Sequence, residues 1–414
     1  MSSNRRDFLT GRAARAAAEA AGQALADRLS EAESRRAPPG GDAVRLTTRA
    51  MACDFSIFLP MRDRPHPAHV ARASDALDML HSLEDQMTVY RAHGELSEIN
   101  RRAAHEDVEV EPRLFELLLE ARDVALATEG AFDPTSGPLV ALWRQCRNEA
   151  RIPTQAEIDA ARELTGIEHV RFDERRRTIR YDREGVEFNL GGIGKGHALD
   201  RCGEFLLRAD VADWLFHGGH SSILARGSQR PHVGWIADPS GESERRPADD
   251  SSVQDDAGDS ADRGRIGNPS CNEPAGWPIA IRHPLFPSER YATIVLRNRA
   301  MSTSGSGVQH FRHAGKRYGH ILDPRTGWPV EGVLSVTVLA ETAARADALS
   351  TAFFVMGLEK ARAYCDTDRS VAALLIPPPR RGRTLEPVRC NLPDDVLYFE
   401  GCTSRIDARP EFEW

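Results

Sequence analysis

The 414-residue chain has almost no lysine; Lys195, Lys316 and Lys360 are the only three. Arginine is therefore the default cation, and a compact ammonium is kept at few positions. No apolar run approaches the ~20 residues that a membrane-spanning helix needs, although 41% of the chain is hydrophobic. Seven cysteines are scattered singly from Cys53 to Cys402, with no C-x-x-C pair and an odd one left over. That spacing offers neither a zinc site nor a disulfide framework. A formal net charge of −8 lacks the basic excess of a nucleic-acid binder. No internal repeat is present. What remains is a chain long enough to bury a sizeable core in one large domain or two.

The densest chemistry lies between Met301 and Met356. Ser302-Thr303-Ser304-Gly305 reads as an anion-holding turn, with hydroxyls and backbone N–H groups converging ahead of a glycine. Tyr318-Gly319-His320-Ile321-Leu322 then puts a histidine at the end of a short apolar run, and Asp323-Pro324 turns the chain before Thr326-Gly327. Ala348, Leu349, Ala352, Val355 and Met356 supply the apolar stripe of a helix. Asp347 and Thr351 share one face of that helix. Two hard oxygens one turn apart suit Mg²⁺, which takes one or two carboxylates and leaves other positions to water and phosphate.

Upstream, Val44–Thr48 and Phe55–Leu59 read as strands around Ala50-Met51-Ala52-Cys53. Val70, Ala73, Leu77, Leu80, Leu83 and Met87 predict an amphipathic helix that runs into Thr88-Val89-Tyr90-Arg91. A tyrosine there can stack on a planar ring at low entropy cost, or sit in the core with its hydroxyl satisfied. Gly94-Glu95-Leu96-Ser97-Glu98-Ile99-Asn100 follows, and Pro112 opens a second helix. Gly130-Ala131-Phe132-Asp133-Pro134-Thr135-Ser136-Gly137 is a turn expected to expose backbone amides and one carboxylate; it could equally be a turn with an N-cap. Phe188-Asn189-Leu190-Gly191-Gly192-Ile193-Gly194-Lys195-Gly196 is a glycine-rich turn into a helix, suited to a pyrophosphate. It is not a Walker A loop, because Asn189 and Gly196 stand where glycine and Ser/Thr are required. His217 and His220 are three apart with no third ligand nearby in sequence, so a backbone-lined wall fits better than a metal site.

Taken in order, these stretches resemble the ApbE family, the FAD:protein FMN transferases. The likeness covers about Val44 to Ile376. It implies an α+β fold of mixed, largely antiparallel sheets flanked by helices. In the family an H-x-I/L-D-P-x-T-G stretch supplies an active-site histidine, which implies His320 as catalytic base. The A-D-A-x-x-T helix and the second glycine of the glycine loop imply Mg²⁺ ligands at Asp347, Thr351 and the Gly192 carbonyl. FAD contacts are implied at Met51, Tyr90, Ala131, Phe132 and Asp133, and again at Asn189, Lys195 and Ile321. Three departures stand out: Ala52-Cys53 for the family's Gly-Thr, Asn189 for aspartate, and His220 for an acid.

The reaction so implied moves FMN from FAD to a Thr or Ser hydroxyl of an acceptor flavoprotein and releases AMP. An Mg²⁺-dependent FAD pyrophosphatase and a non-catalytic FAD-binding protein remain as alternatives. The folded domain is expected over 42–376, with a leader or helical extension and linker at 1–41 and an extension at 377–414. An acidic segment from Pro239 to Gly276 has almost no apolar residues and reads as a disordered, dispensable insertion. Asn4-Arg5-Arg6-Asp7-Phe8-Leu9-Thr10 resembles a twin-arginine export motif. The apolar core that should follow is broken by Arg12, Arg15, Glu19 and Asp27, so a cytoplasmic location is the first reading and export the second.

Overall fold

The structure, a computed structural model, describes residues 42–61, 66–219, 221–229, 276–306 and 310–400. The Arg5-Arg6 segment and its linker, His220, and the acidic segment apart from Gly276 lie outside the described residues, as does everything from Gly401. Strands β1 (Ala43–Ala50) and β2 (Cys53–Pro60) form a hairpin, followed by helices α1 (Pro67–Met87) and α2 (Glu95–Arg102). Strand β3 (Val108–Glu109) precedes α3 (Pro112–Ala127), α4 (Gly137–Asn148) and α5 (Gln155–Arg162). Next come β4 (Val170–Asp173), β5 (Thr178–Tyr181), α6 (Gly194–Arg208), β6 (Trp214–Gly218) and β7 (Ser222–Arg226). Strands β8 (Trp277–Arg282), β9 (Arg290–Leu296) and β10 (Arg299–Gly305) lead to a ribbon of β11 (His310–His313) and β12 (Lys316–Gly319). Last are β13 (Ser335–Ala340), α7 (Ala343–Thr367), β14 (Ala372–Ile376), β15 (Val388–Cys390) and β16 (Leu397–Phe399).

Eight strands build one antiparallel sheet in the order β1-β2-β6-β7-β10-β13-β14-β15. Side chains alternate across it with the period of two that a strand imposes. On one face Phe55, Phe216, Leu224, Ala300 and Val338 pack under α1, α6 and α7, with Leu80, Leu199 and Phe353 among their partners. On the other, Leu215, Ile223, Met301 and Leu339 meet Trp277, Ile279, Ile294 and Leu397 of a three-stranded sheet, β16-β9-β8. The expected α+β architecture is therefore present, and both faces of the large sheet are buried.

Two local expectations change. Ser302–Gly305 is not a turn but the end of β10, held between β7 and β13 in the middle of the sheet. Ser302 is paired on both sides and Thr303–Gly305 with β13, so the stretch serves a site chiefly through its hydroxyls. Residues beyond Ile376 also belong to the sheets: β15 pairs with β14 and β16 with β9. The helix expected through Met356 and the one expected from Gly357 are both there, joined as α7 across Gly357, whose φ is 77°.

The β1–β2 turn places Met51 and Ala52 at φ of 50° and 59°, the left-handed pair of a type I′ hairpin. An L-residue with a Cβ adopts that region at a cost of about 1 kcal/mol or more. Ala52→Gly is therefore expected to raise stability by about 1 kcal/mol, read as a higher denaturation midpoint at unchanged m-value.

Candidate active site

The site begins where the N-termini of α6 and α7 cross. A Cβ at Gly196 would collide with the Ala343 carbonyl oxygen, so glycine alone permits this approach. From α6, Asp200 accepts the first two N–H groups of α7, Ala343 and Ala344, each at 2.8 Å. Thr342 accepts the third, from Arg345, at 3.2 Å. Burial pushes the Asp200 carboxyl up to about 7, against the pull of those two N–H donors. The two helices are thus bonded end to end before either contributes a functional group.

Asp347 sits one turn into α7 and is 4% exposed. Its Oδ1 accepts the hydroxyls of Ser222 at 2.8 Å and Ser302 at 2.7 Å. These serines are directly opposed residues of β7 and β10, on the face that α7 covers. Oδ2 accepts the Gly196 N–H at 3.1 Å, with Lys195 Nζ at 3.6 Å. The carboxylate therefore faces the positive end of α6 and an ammonium at once. Thr351 follows one turn later, its Oγ1 donating to the Asp347 carbonyl at 3.3 Å and lying 3.5 Å from Ser304 Oγ. Gly192 completes the group: a Cβ there would stand 3.4 Å from Thr351 Oγ1 and 3.2 Å from Phe132 Cε2. Asp347, Thr351, Gly192 and Lys195 are brought together.

The glycine loop is held from behind. Asn100, from the Glu95–Asn100 motif, bonds Phe188 on both sides, donating to its carbonyl at 2.9 Å and accepting its N–H at 2.8 Å. Asn189 donates its N–H to the Pro134 carbonyl at 2.7 Å, and its Oδ1 accepts the Gly191 N–H at 2.9 Å. The Gly130–Gly137 turn is differently disposed from the expectation of exposed polar groups. Ala131 and Phe132 give their N–H groups to Thr128. Asp133, 7% exposed, accepts Thr135 N–H, Thr135 Oγ1–H and Ile167 N–H. A buried carboxylate must find such donors, so the acid ties the turn to Ile167 and Thr135 Oγ1 ties it to Gly166, while Phe132 backs Gly192.

His320 lies just past β12 and is exposed. With Ile321 it lines a hollow shared with Gly305, Ser306, Gly319, Val330 and Phe354. Gly305 follows Ser304 on β10, and Phe354 lies one turn beyond Ser350 and Thr351, so hollow and carboxylate cluster adjoin along the same two elements. Beneath the ribbon, Trp143 donates its indole N–H to the Gly327 carbonyl at 2.8 Å and packs against Phe311, Tyr318 and Trp328. Across the site the β1–β2 turn brings Met51 onto the main core, and Cys53 close enough to feel Lys195 and Asp347; burial dominates and raises its thiol. Tyr90 presents its ring to solvent, 69% exposed, with the Arg144 guanidinium 4.9 Å from the ring centre. Sequence reasoning missed Ser222, Asp200 and the Gly196 crossing. Ser302 was noticed, but for the wrong geometry.

Among the described residues no three His, Cys, Asp or Glu side chains converge. The cluster offers one carboxylate with a hydroxyl and a carbonyl, an all-oxygen set that fits Mg²⁺ rather than a softer metal.

A family model described as the ApbE family matches residues 51–255 and 257–375. The chain belongs to that family. A FAD:protein FMN transferase of Vibrio cholerae is 31% identical over 303 residues, covering 72% of this chain and 77% of the relative. One from Treponema pallidum is 29% identical over 330 residues, covering 77% and 81%. Among solved structures, the flavin transferase ApbE from Vibrio cholerae aligns with a TM-score of 0.64 at 26% identity, over 85% of this chain and 97% of that one. The ApbE protein from Thermotoga maritima gives 0.64 at 27% identity, over 83% and 96%.

The end-to-end bond between helices has a measurable consequence for this ApbE-family chain. Asp200→Ala strips two N–H groups at the start of α7 of their acceptor and is expected to cost about 1–2 kcal/mol. Chemical denaturation measures the loss. Hydrogen exchange should show it concentrated in the first turn of α7.

Proposed function

We propose that this chain is a FAD:protein FMN transferase, moving FMN from FAD to a Thr or Ser hydroxyl of an acceptor flavoprotein with release of AMP. One observation carries the reading beyond family membership: the buried Asp347 and the half-buried Thr351, Gly192 and Lys195 form one cluster beside a hollow that holds an exposed imidazole. In this reading FAD lies along the glycine loop, with Asn189 keeping the loop's shape and Lys195 meeting the diphosphate. Met51 and Ala131–Asp133 wall the cofactor, Ile321 flanks it, and Tyr90 offers a ring face to a flavin or adenine.

Asp347, Thr351 and the Gly192 carbonyl would hold Mg²⁺, which neutralises charge on the diphosphate when bound. His320 takes the proton of the acceptor hydroxyl as its oxygen attacks the phosphate that bears FMN. The bond to the AMP phosphate breaks, and AMP leaves with the second phosphate of FAD. An exposed imidazole suits this task, because the acceptor is a macromolecule and must reach the base from solvent. The acidic segment of Pro239–Gly276 is proposed to take no part, and the catalytic unit to be the domain that starts near residue 42.

Two substitutions test the assignment. His320→Ala should keep FAD affinity and lose transfer by about 10²–10⁴-fold, measured by fluorescence quenching and by in-gel flavin fluorescence of a purified acceptor. Transfer at the wild-type rate would exclude the base. Asp347→Ala should abolish metal-dependent chemistry in a folded chain, with Mg²⁺ binding weakened in calorimetric titration of the FAD-loaded variant. AMP release from the wild type without acceptor would instead mark a pyrophosphatase, and intact FAD in the presence of Mg²⁺ a binding protein.

A further inference from the structure

We propose that Ser222 and Ser302 determine which cation the site accepts, by holding Asp347 as a one-oxygen ligand. The inference rests on the metal reading above and concerns residues that no metal would touch. A carboxylate oxygen has two lone pairs. Both pairs of Asp347 Oδ1 are taken, by Ser222 Oγ–H at 2.8 Å and Ser302 Oγ–H at 2.7 Å. Both serines are fully buried, 0% and 1% exposed, so no water competes for those bonds.

Further hydroxyls surround the pair. Ser350 Oγ lies 3.3 Å from Ser302 Oγ and 2.9 Å from Ser304 Oγ, and its own hydrogen has the Asp347 carbonyl at 3.0 Å as the nearest fixed acceptor. Ser221 Oγ lies 3.3 Å from Ser222 Oγ. Strand register fixes the pair: Ser302 and Ser222 are directly opposed, and a slip of either strand by one residue would turn its serine away from α7. On the other oxygen, Gly196 N–H occupies one lone pair of Oδ2 at 3.1 Å, and Lys195 stands at 3.6 Å. One acceptor direction on Oδ2 is left for an ion.

Mg²⁺ demands a compact octahedron and takes carboxylates through one oxygen; Ca²⁺ is larger, takes more ligands and accepts both oxygens of one carboxylate. With Oδ1 closed by two hydroxyls, the bidentate mode that favours Ca²⁺ is blocked. Ser222 and Ser302 are thus positioning residues that select a small divalent cation.

The test titrates Mg²⁺ and Ca²⁺ separately, as the metal alone, into the full FAD-free chain by calorimetry. The metal-induced rise in melting temperature serves as a second readout. Wild type should bind Mg²⁺ more tightly than Ca²⁺. Removing both hydroxyls with Ser222→Ala and Ser302→Ala should weaken Mg²⁺ by about 10–100-fold, with Ca²⁺ held or strengthened, so that the affinity ratio collapses. Single variants should fall between, and they carry the test if the double variant does not fold. Ser302→Thr, which returns the hydroxyl, should restore the ratio. Equal weakening of both ions, an unchanged ratio, or a wild type that prefers Ca²⁺ would overturn the proposal. A wild type that binds FAD but neither cation would instead sink the metal reading itself, which the first titration reveals before any variant is made.

Discussion

Everything near the site depends on one buried carboxylate and the groups arranged to receive it. Asp347 lies almost out of solvent, and an uncompensated ion there would cost several kcal/mol. Its donors come from three separate parts of the chain: strand β7, strand β10 and the first turn of α6. None of these is local to α7. The carboxylate can be buried only if the central sheet is in register and the two helix N-termini have met. Folding of the site and folding of the core are therefore one event, and a loose sheet would lose the site first.

The cross-chain geometry explains why glycine and small hydroxyls gather here. Gly196 lets two helices touch backbone to backbone, and Gly192 lies against Phe132 and Thr351, where a Cβ would press on both. Serine is the smallest side chain that can donate a hydrogen bond from a strand to a helix packed directly above it. Ser302 and Ser222 do so from positions where their neighbours on the same face are Ala300 and Leu224, core residues. A polar pocket is thus set into an apolar layer without widening it, at the cost of requiring every hydroxyl to be satisfied.

Much of this was legible in the sequence, and what was missed has a common cause. Helices α1, α3, α6 and α7 and the β1–β2 hairpin follow from apolar patterning, and the glycine loop, the Asp-Pro turn and the Asp347–Thr351 pair follow from local spacing; the short helices α2, α4 and α5 and most strands do not. Ser302-Thr303-Ser304-Gly305 was misread because three hydroxyls before a glycine look like a turn when the strand's partners are unknown. In the middle of a sheet, tertiary context overrides that preference. Ser222 carries no signal at all until β7 and β10 are paired. Asp133 was legible as a turn residue, but its inward direction depends on Gly166–Ile167, some thirty residues on. Contacts between distant segments are what a linear reading cannot supply.

The departures from the family pattern become interpretable on the same terms. Asn189 contributes an acceptor oxygen to the Gly191 N–H and a backbone donor to Pro134. A neutral amide meets both demands, so the shape of the loop survives the loss of an aspartate's charge. Ala52 occupies the left-handed conformation that glycine would adopt freely, and the hairpin still closes with Ala50 opposite Cys53. At both positions the backbone keeps its course. The groups assigned to chemistry, namely the Asp347 carboxylate, the Thr351 hydroxyl, the Lys195 ammonium and the His320 imidazole, are of the residue types the family's motifs carry. A chain drifting toward simple FAD binding would be free to lose those groups first, since a buried carboxylate is costly to maintain for a fold that has no use for it.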